Sequence, residues 1–423
     1  MLGESALAVA LDGDQLPDRA GSLIPATALG GVLASGCAPP GTAARSRRPD
    51  QSGPSRWDDT PAKAMTVPGV GRLDGPRGRG ETPIVTTDTD VVSFIAAVPK
   101  CELHLHIEGT LEGELVFELA RRNGVDLPYA DAAQMKRENP FHDLASFLVG
   151  YYRNMQVLIT EQDFYDLAVA YFTRAAAQNV RYAEIFVDPQ AHTSRGVEFG
   201  TVVRGLRRAV VDARRTLDLH ASLIMCFLRD FSAEYAMATL MESLPYKDWI
   251  VGVGLDSDER GNPPVKFEKV FARARAEGYL LTMHCDLDQP GTLDHIRQAL
   301  DVIGVDRIDH GVNILEDPAL LAEVVERQIG LTVCPISNGF VRGSAWDGAT
   351  KRLLDAGVLV SVNSDDPAYF DGYVADCFLR VHQETPLSIA EVRTLARNSF
   401  EMAWLPTTLR ARFLDEVDAV LPG

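Results

Sequence analysis

Residues 101–109 read CELHLHIEG. In an extended segment, side chains two positions apart point to the same face. His104 and His106 therefore face one way, while Leu103 and Leu105 face the other and need an apolar layer to cover them. Two imidazoles on one face of a strand can chelate a single ion. One such stretch decides nothing alone, but its plan recurs along the chain.

Seven more short, β-rich runs follow: VRYAEIFVD (180–188), HASLIMCFL (220–228), DWIVGVGLD (248–256), YLLTMHC (279–285), DRIDHGV (306–312), GLTVCPISN (330–338) and GVLVSVNSDD (357–366). Between them lie stretches such as EQDFYDLAVAYFTRAAAQN and TVVRGLRRAVVDARRTL, with apolar residues near helical spacing. Apolar strands alternating with helices imply a parallel sheet. Eight such units predict an α/β fold, a (β/α)8 TIM-type barrel, rather than an open sheet. The interval 111–178 exceeds one helix, so extra helices are expected near the barrel mouth.

Polar residues gather where these runs end. His104 and His106 close the first, His284 the fifth and His310 the sixth, while Asp365 and Asp366 close the eighth. Active sites of such barrels lie at the C-terminal ends of the strands, so these groups are expected to converge on one mouth. His104, His106, His284 and Asp365 form a candidate metal site. Imidazoles with one carboxylate suit zinc, with iron or manganese as alternatives. His310, one strand beyond His284, is placed to act on a metal-activated water, whose pKa falls toward ~7. His142, His192, His220, His295 and His382 read as structural or solvated, and Cys285 as a small core residue pointing away from the metal.

The chain of 423 residues carries a formal charge of −18, which opposes binding to nucleic-acid backbones or anionic membranes. Its six cysteines show no CxxC pair, a pattern of reduced thiols in the cytoplasm. No run of apolar residues is long enough to span a membrane. Residues 1–83 are rich in Gly, Pro, Ala and Arg; such a composition buries too little apolar surface to order, so they are expected to form a disordered extension before a barrel domain over 84–423. SLIPATALGGVLASGC loosely resembles a lipidated leader, but Glu4, Asp12, Asp14 and Asp18 precede it where positive charge belongs. A true start at Met65 is the alternative.

PKCELHLHIEGTL (99–111), VGLDSDERGNPP (253–264), DRIDHGV, LTVCPISN (331–338) and SVNSDDPAYF (361–370) together resemble the adenosine/adenine deaminase family of the amidohydrolase superfamily. RIDHG, DPQ-x-HT (188–193) and SVNSDDPAYF are similar to its free-base branch. The resemblance implies a zinc-dependent hydrolase of a small purine-like base, adenine or an N6-substituted or otherwise modified aminopurine, working as a monomer or homodimer. It implies one zinc held by His104, His106, His284 and Asp365, with His310 beside the attacking water. Asp366 would hydrogen-bond N7, hydroxide would add to C6, and ammonia would leave. Glu108, Ser257 and Glu259 are expected to line the pocket, Glu108 standing where the nucleoside-specific branch carries an aspartate facing ribose.

One motif departs. The family reads HAGE after the strand-five histidine, its Glu protonating ring N1; this chain reads HCDLDQ, with Leu287 at that position. Asp288 is the expected replacement acid, with Asp286 or Gln289 as alternatives. Two other readings stay open: a metal-dependent hydrolase of another nitrogen heterocycle, and a purine-binding homologue with impaired catalysis.

Overall fold

The computed structural model describes residues 88–138, 141, 143–285, 289–342 and 346–421. The expected extension over 1–83, and Asp286 and Asp288, lie outside the described residues. Eight strands, β1 (Lys100–Glu102), β2 (Val180–Val187), β3 (His220–Leu228), β4 (Ile250–Asp256), β5 (Leu280–Cys285), β6 (Arg307–His310), β7 (Gly330–Val333) and β8 (Leu359–Val362), neighbour one another in sequence order. Every pairing is parallel. The ends meet just beyond β1 and β8: His106 N donates to Asp365 O at 3.0 Å, and Asp365 N donates to His104 O at 3.1 Å. Leu103 N adds a bond to Asn363 Oδ1 at 2.8 Å. The expected (β/α)8 barrel is therefore the observed one, and its closing seam runs through three of the candidate site residues.

The strands read as almost continuous apolar runs because both faces are covered. Leu103, Leu105 and Ile107 are fully buried on one side of the first strand's continuation. Outside, the helix Phe199–Thr216 turns Val202, Val203, Leu206, Ala209 and Val210 inward. The helix Glu161–Ala177 beside it starts at a capping box between Thr160 and Asp163. These two helices approach closely at Gly205, where a Cβ would stand 2.4 Å from Glu161 O.

The barrel interior below the mouth is polar but paired. Arg307, fully buried, reaches Glu184 Oε2 at 2.6 Å and stacks over Trp404. Glu102 Oε2 accepts from Tyr171 Oη at 2.6 Å. Four α-helices lie between β1 and β2, and one of them, Leu144–Asn154, carries Phe147, Tyr151 and Tyr152 to the cavity at the mouth. Among the described residues no helix is long and apolar enough to cross a membrane. The five described cysteines are buried and unbridged.

Candidate active site

The histidines are aimed by hydrogen bonds on their far sides. Thr332 Oγ1 donates to Asp309 Oδ1 at 2.8 Å, which spends its only proton. It must then accept from His104, whose Nδ1 lies 2.9 Å away. His104 is thereby held with the proton on Nδ1, leaving Nε2 a bare lone pair; that atom is buried and has no hydrogen-bond partner. His310 Nδ1 stands 3.2 Å from Asn338 Oδ1, which orients its Nε2 toward Asp365. Asp256 Oδ2 lies 3.5 Å from His106 Nδ1, a carboxylate behind an imidazole of the kind that supports metal ligands.

The inward atoms converge. His106 Nε2 lies 3.1 Å from His284 Nε2 and 3.5 Å from Asp365 Oδ1, while His104 Nε2 lies 3.2 Å from that same oxygen. Ligands ~2.0–2.1 Å from a tetrahedral zinc stand ~3.4 Å apart, so this spacing and donor set fit one divalent ion. Burial pushes the Asp365 carboxyl up, but His104, His310 and His106 outweigh it and hold the group well below the usual range. Burial and the neighbouring imidazoles together keep His284 well below the ordinary histidine range. An ionised Asp365 carboxylate beside an uncharged His284 is the state a metal requires of these two ligands. Ser337 Oγ donates to Asp365 Oδ2 at 2.5 Å and fixes the carboxylate's rotation.

Asp365 takes a left-handed backbone, φ 65°, and Asp366 follows it into the cavity. Gly109 makes room: a Cβ there would stand 2.0 Å from Asp366 Oδ1. Burial drives Asp366 far above the usual carboxylate range; His106 opposes this, while Asp365 and Glu108 add to it. Two further carboxyls on the cavity wall, Asp188 and Asp256, lie with His106 in a second tight group. Asp188 is raised by burial, then by Asp256 and Glu108. The outer wall is aromatic, with Phe147 stacked on Phe370 at 5.4 Å.

Of the residues expected from sequence, His106, His284, His310, Asp365, Asp366 and Ser257 reach the cavity wall. His104, fully buried, forms one donor cluster with His284, His310 and Asp365, and His106 groups with Asp365 and Asp366. Glu108 and Glu259, expected to line the pocket, do not. Glu108 Oε1 accepts from Asp188 N at 3.2 Å and pairs with His192 Nε2 at 2.8 Å, so this oxygen is held by the segment that follows β2, while Oε2 is buried without a hydrogen-bond partner. Glu259 Oε1 lies 2.5 Å from His295 Nδ1, with Arg229 on its other oxygen. Arg229 in turn donates to His284 O at 2.8 Å, so this group braces the end of β5. Gln289, weighed as a donor to substrate, bonds Thr292 Oγ1 at 3.1 Å and faces His295. Asp288 lies outside the described residues.

Asp188, Asp256, Ser337 and Asn338 are the site residues that sequence reasoning missed. Asp188 and Asp256 were within reach of it, for they stand at the ends of β2 and β4, the positions that singled out the histidines. Ser337 and Asn338 were read as strand; Pro335 instead opens the helix Pro335–Arg342, whose first turn presents them to Asp365 and His310.

Residues 99–420 match the adenosine deaminase family model. The chain is 53% identical over 326 residues to an adenine deaminase of Streptomyces coelicolor, covering 76% of this chain and 95% of that one. It resembles the crystal structure of an adenine deaminase from Arthrobacter aurescens, with TM-score 0.73 and 46% identity, over 76% of this chain and 98% of the other. An amidohydrolase from Burkholderia ambifaria, solved with bound Zn, matches with TM-score 0.70 and 26% identity over 80% and 95% of the two chains.

Proposed function

The chain belongs to the adenosine deaminase family, and from that premise we propose that it hydrolyses the amino group from a free purine base, adenine or a close aminopurine, releasing ammonia. The observation that carries this reading is the convergence of three imidazoles and the Asp365 carboxylate at 3.1–3.5 Å, beside Asp366, in a cavity walled by flat aromatic rings. A planar heterocycle packs favourably against such rings, and the carboxyl groups on the same wall can hydrogen-bond its ring nitrogens.

In this reading His104, His106, His284 and Asp365 hold one zinc, as the donor chemistry and the zinc-bearing amidohydrolase support. Bound there, the ion would supply Lewis acidity that eases deprotonation of the attacking water at neutral pH. His310 faces the attacking oxygen and takes its proton, its Nδ1 being anchored by Asn338. Asp366, protonated, donates to N7 and so fixes the amine-bearing carbon over the cluster. Asp288 gives a proton to N1 as oxygen adds to C6; the proton taken by His310 then passes to the amine, which leaves as ammonia, while the C6 hydroxyl proton returns to the Asp288 carboxylate. Five buried, unbridged thiols suit a reducing compartment, and we place the reaction in the cytoplasm.

The test is ammonia release by the zinc-loaded protein with adenine, N6-substituted adenines and adenosine. Turnover of a free base well above adenosine is expected. Turnover confined to a non-purine heterocycle would replace the substrate class, and silence throughout with metal bound would favour a binding protein.

A further inference from the structure

Asp188 is a carboxyl on the cavity wall to which the mechanism above gives no task. It immediately follows β2, where its backbone N–H is pinned by Glu108. It is 3% exposed, and its Oδ1 is buried without a hydrogen-bond partner. Asp256 belongs to the same tight group, with ligand atoms of Asp188, Asp256 and His106 within 4.8 Å of one another, and its Oδ2 faces His106 Nδ1 at 3.5 Å. Asp188 Oδ1 thus keeps its lone pairs unmet. Buried acceptors without donors are costly, and here they border the cavity that receives the substrate.

We propose that Asp188, held by Glu108 and backed by Asp256, accepts a hydrogen bond from the five-membered-ring N–H of the substrate and thereby restricts the enzyme to bases unsubstituted at that nitrogen. The inference rests on the purine-base reading. A free purine carries one proton on its imidazole edge and one bare nitrogen. Asp366 and Asp188 each have a ligand atom within 4.8 Å of a His106 ring nitrogen, one in company with Asp365 and the other with Asp256. The imidazole edge of a base seated against His106 would therefore have Asp366 at one nitrogen and Asp188 at the other. An N9-substituted purine lacks the proton and brings bulk in its place. A site built to hydrogen-bond a substrate N–H discriminates strongly against an analogue that lacks it, by as much as ~10⁴-fold, because the buried acceptor is left unpaired.

The test compares kcat/KM for adenine and 9-methyladenine in the wild type, Asp188→Ala and Asp188→Asn, with metal content and melting temperature recorded for each. The wild type should prefer adenine by at least ~100-fold. Asp188→Ala should lower adenine turnover by about that factor and leave 9-methyladenine unchanged or improved, so that the ratio collapses. Asp188→Asn, which keeps an acceptor oxygen, should retain most of the preference. Equal losses on both substrates would make Asp188 a structural residue and overturn the inference. So would a wild type that accepts both bases alike, with the purine reading left standing. Absence of adenine turnover in the wild type would overturn the purine reading and this inference with it.

Discussion

Gly109→Ala is a one-carbon perturbation aimed at Asp366. The added Cβ would stand 2.0 Å from Asp366 Oδ1, and 2.7 Å from both its Cα and its Cβ. The oxygen could swing aside; the backbone and Cβ cannot. Asp366 must move bodily, and it is joined to Asp365, whose backbone closes the barrel through His104 and His106. Overpacking of this kind costs ~1–3 kcal/mol. With an unfolding entropy of ~2 cal/mol/K per residue over the roughly 330 described residues, the melting temperature should fall by ~2–4 °C. Displacement by ~1 Å of a substrate-positioning group costs on the order of 10²-fold in rate. The assay is kcat/KM for ammonia release, paired with thermal melting. Gly124→Ala is the control, for Gly124 caps a helix at φ 65° with no atom within 4 Å of its would-be Cβ. Alanine there strains the backbone by ~1–2 kcal/mol and should lower the melting temperature without touching turnover. If Gly109→Ala keeps activity within about threefold of the wild type, the contact does not position Asp366 and the reasoning fails.

Asp288→Asn should lower kcat by ~10²–10⁴-fold while metal content stays at the wild-type level; unchanged turnover would return the proton donor to Asp286 or another group. Asp230 gives a pH-dependent prediction. Burial, opposed by the Ser257 hydroxyl, raises its carboxyl to about 6. Because the folded state binds that proton more tightly than the unfolded one, its penalty is full above pH ~6 and fades as pH falls toward ~4. Asp230→Asn should therefore stabilise the protein by about 2–3 kcal/mol at pH 7 to 8 and by little near pH 4. Melting curves across that range check it, and a gap that widens on acidification would refute it.

The barrel was legible because buried parallel strands are short and nearly continuous in apolar residues. The observed β2 and β3 coincide with their runs to within a residue. The later runs were read too long, since RIDHGV and TVCPISN leave the strand at a left-handed Gly311 and at Pro335. Strand-end histidines were legible for the same reason: a polar residue after an apolar run has one place to go in this fold. What sequence could not give is direction. Glu108 and Ser257 both follow strand ends, yet Ser257 reaches the cavity and Glu108 turns away, because His192 and the Asp188 amide capture its carboxylate. That capture depends on a contact between residues 108 and 192, far apart along the chain. Glu259 was likewise taken from the cavity by His295 and Arg229.

The central claim is a metal-dependent deamination at the His104, His106, His284 and Asp365 cluster. The most direct measurement is the rate of ammonia release from adenine by protein stripped with a chelator and then titrated with zinc. The account predicts negligible rate without metal and recovery that saturates at one ion per chain, with the His284→Ala protein failing to recover. Turnover that persists in the fully stripped protein, or recovery in His284→Ala equal to the wild type, would contradict it.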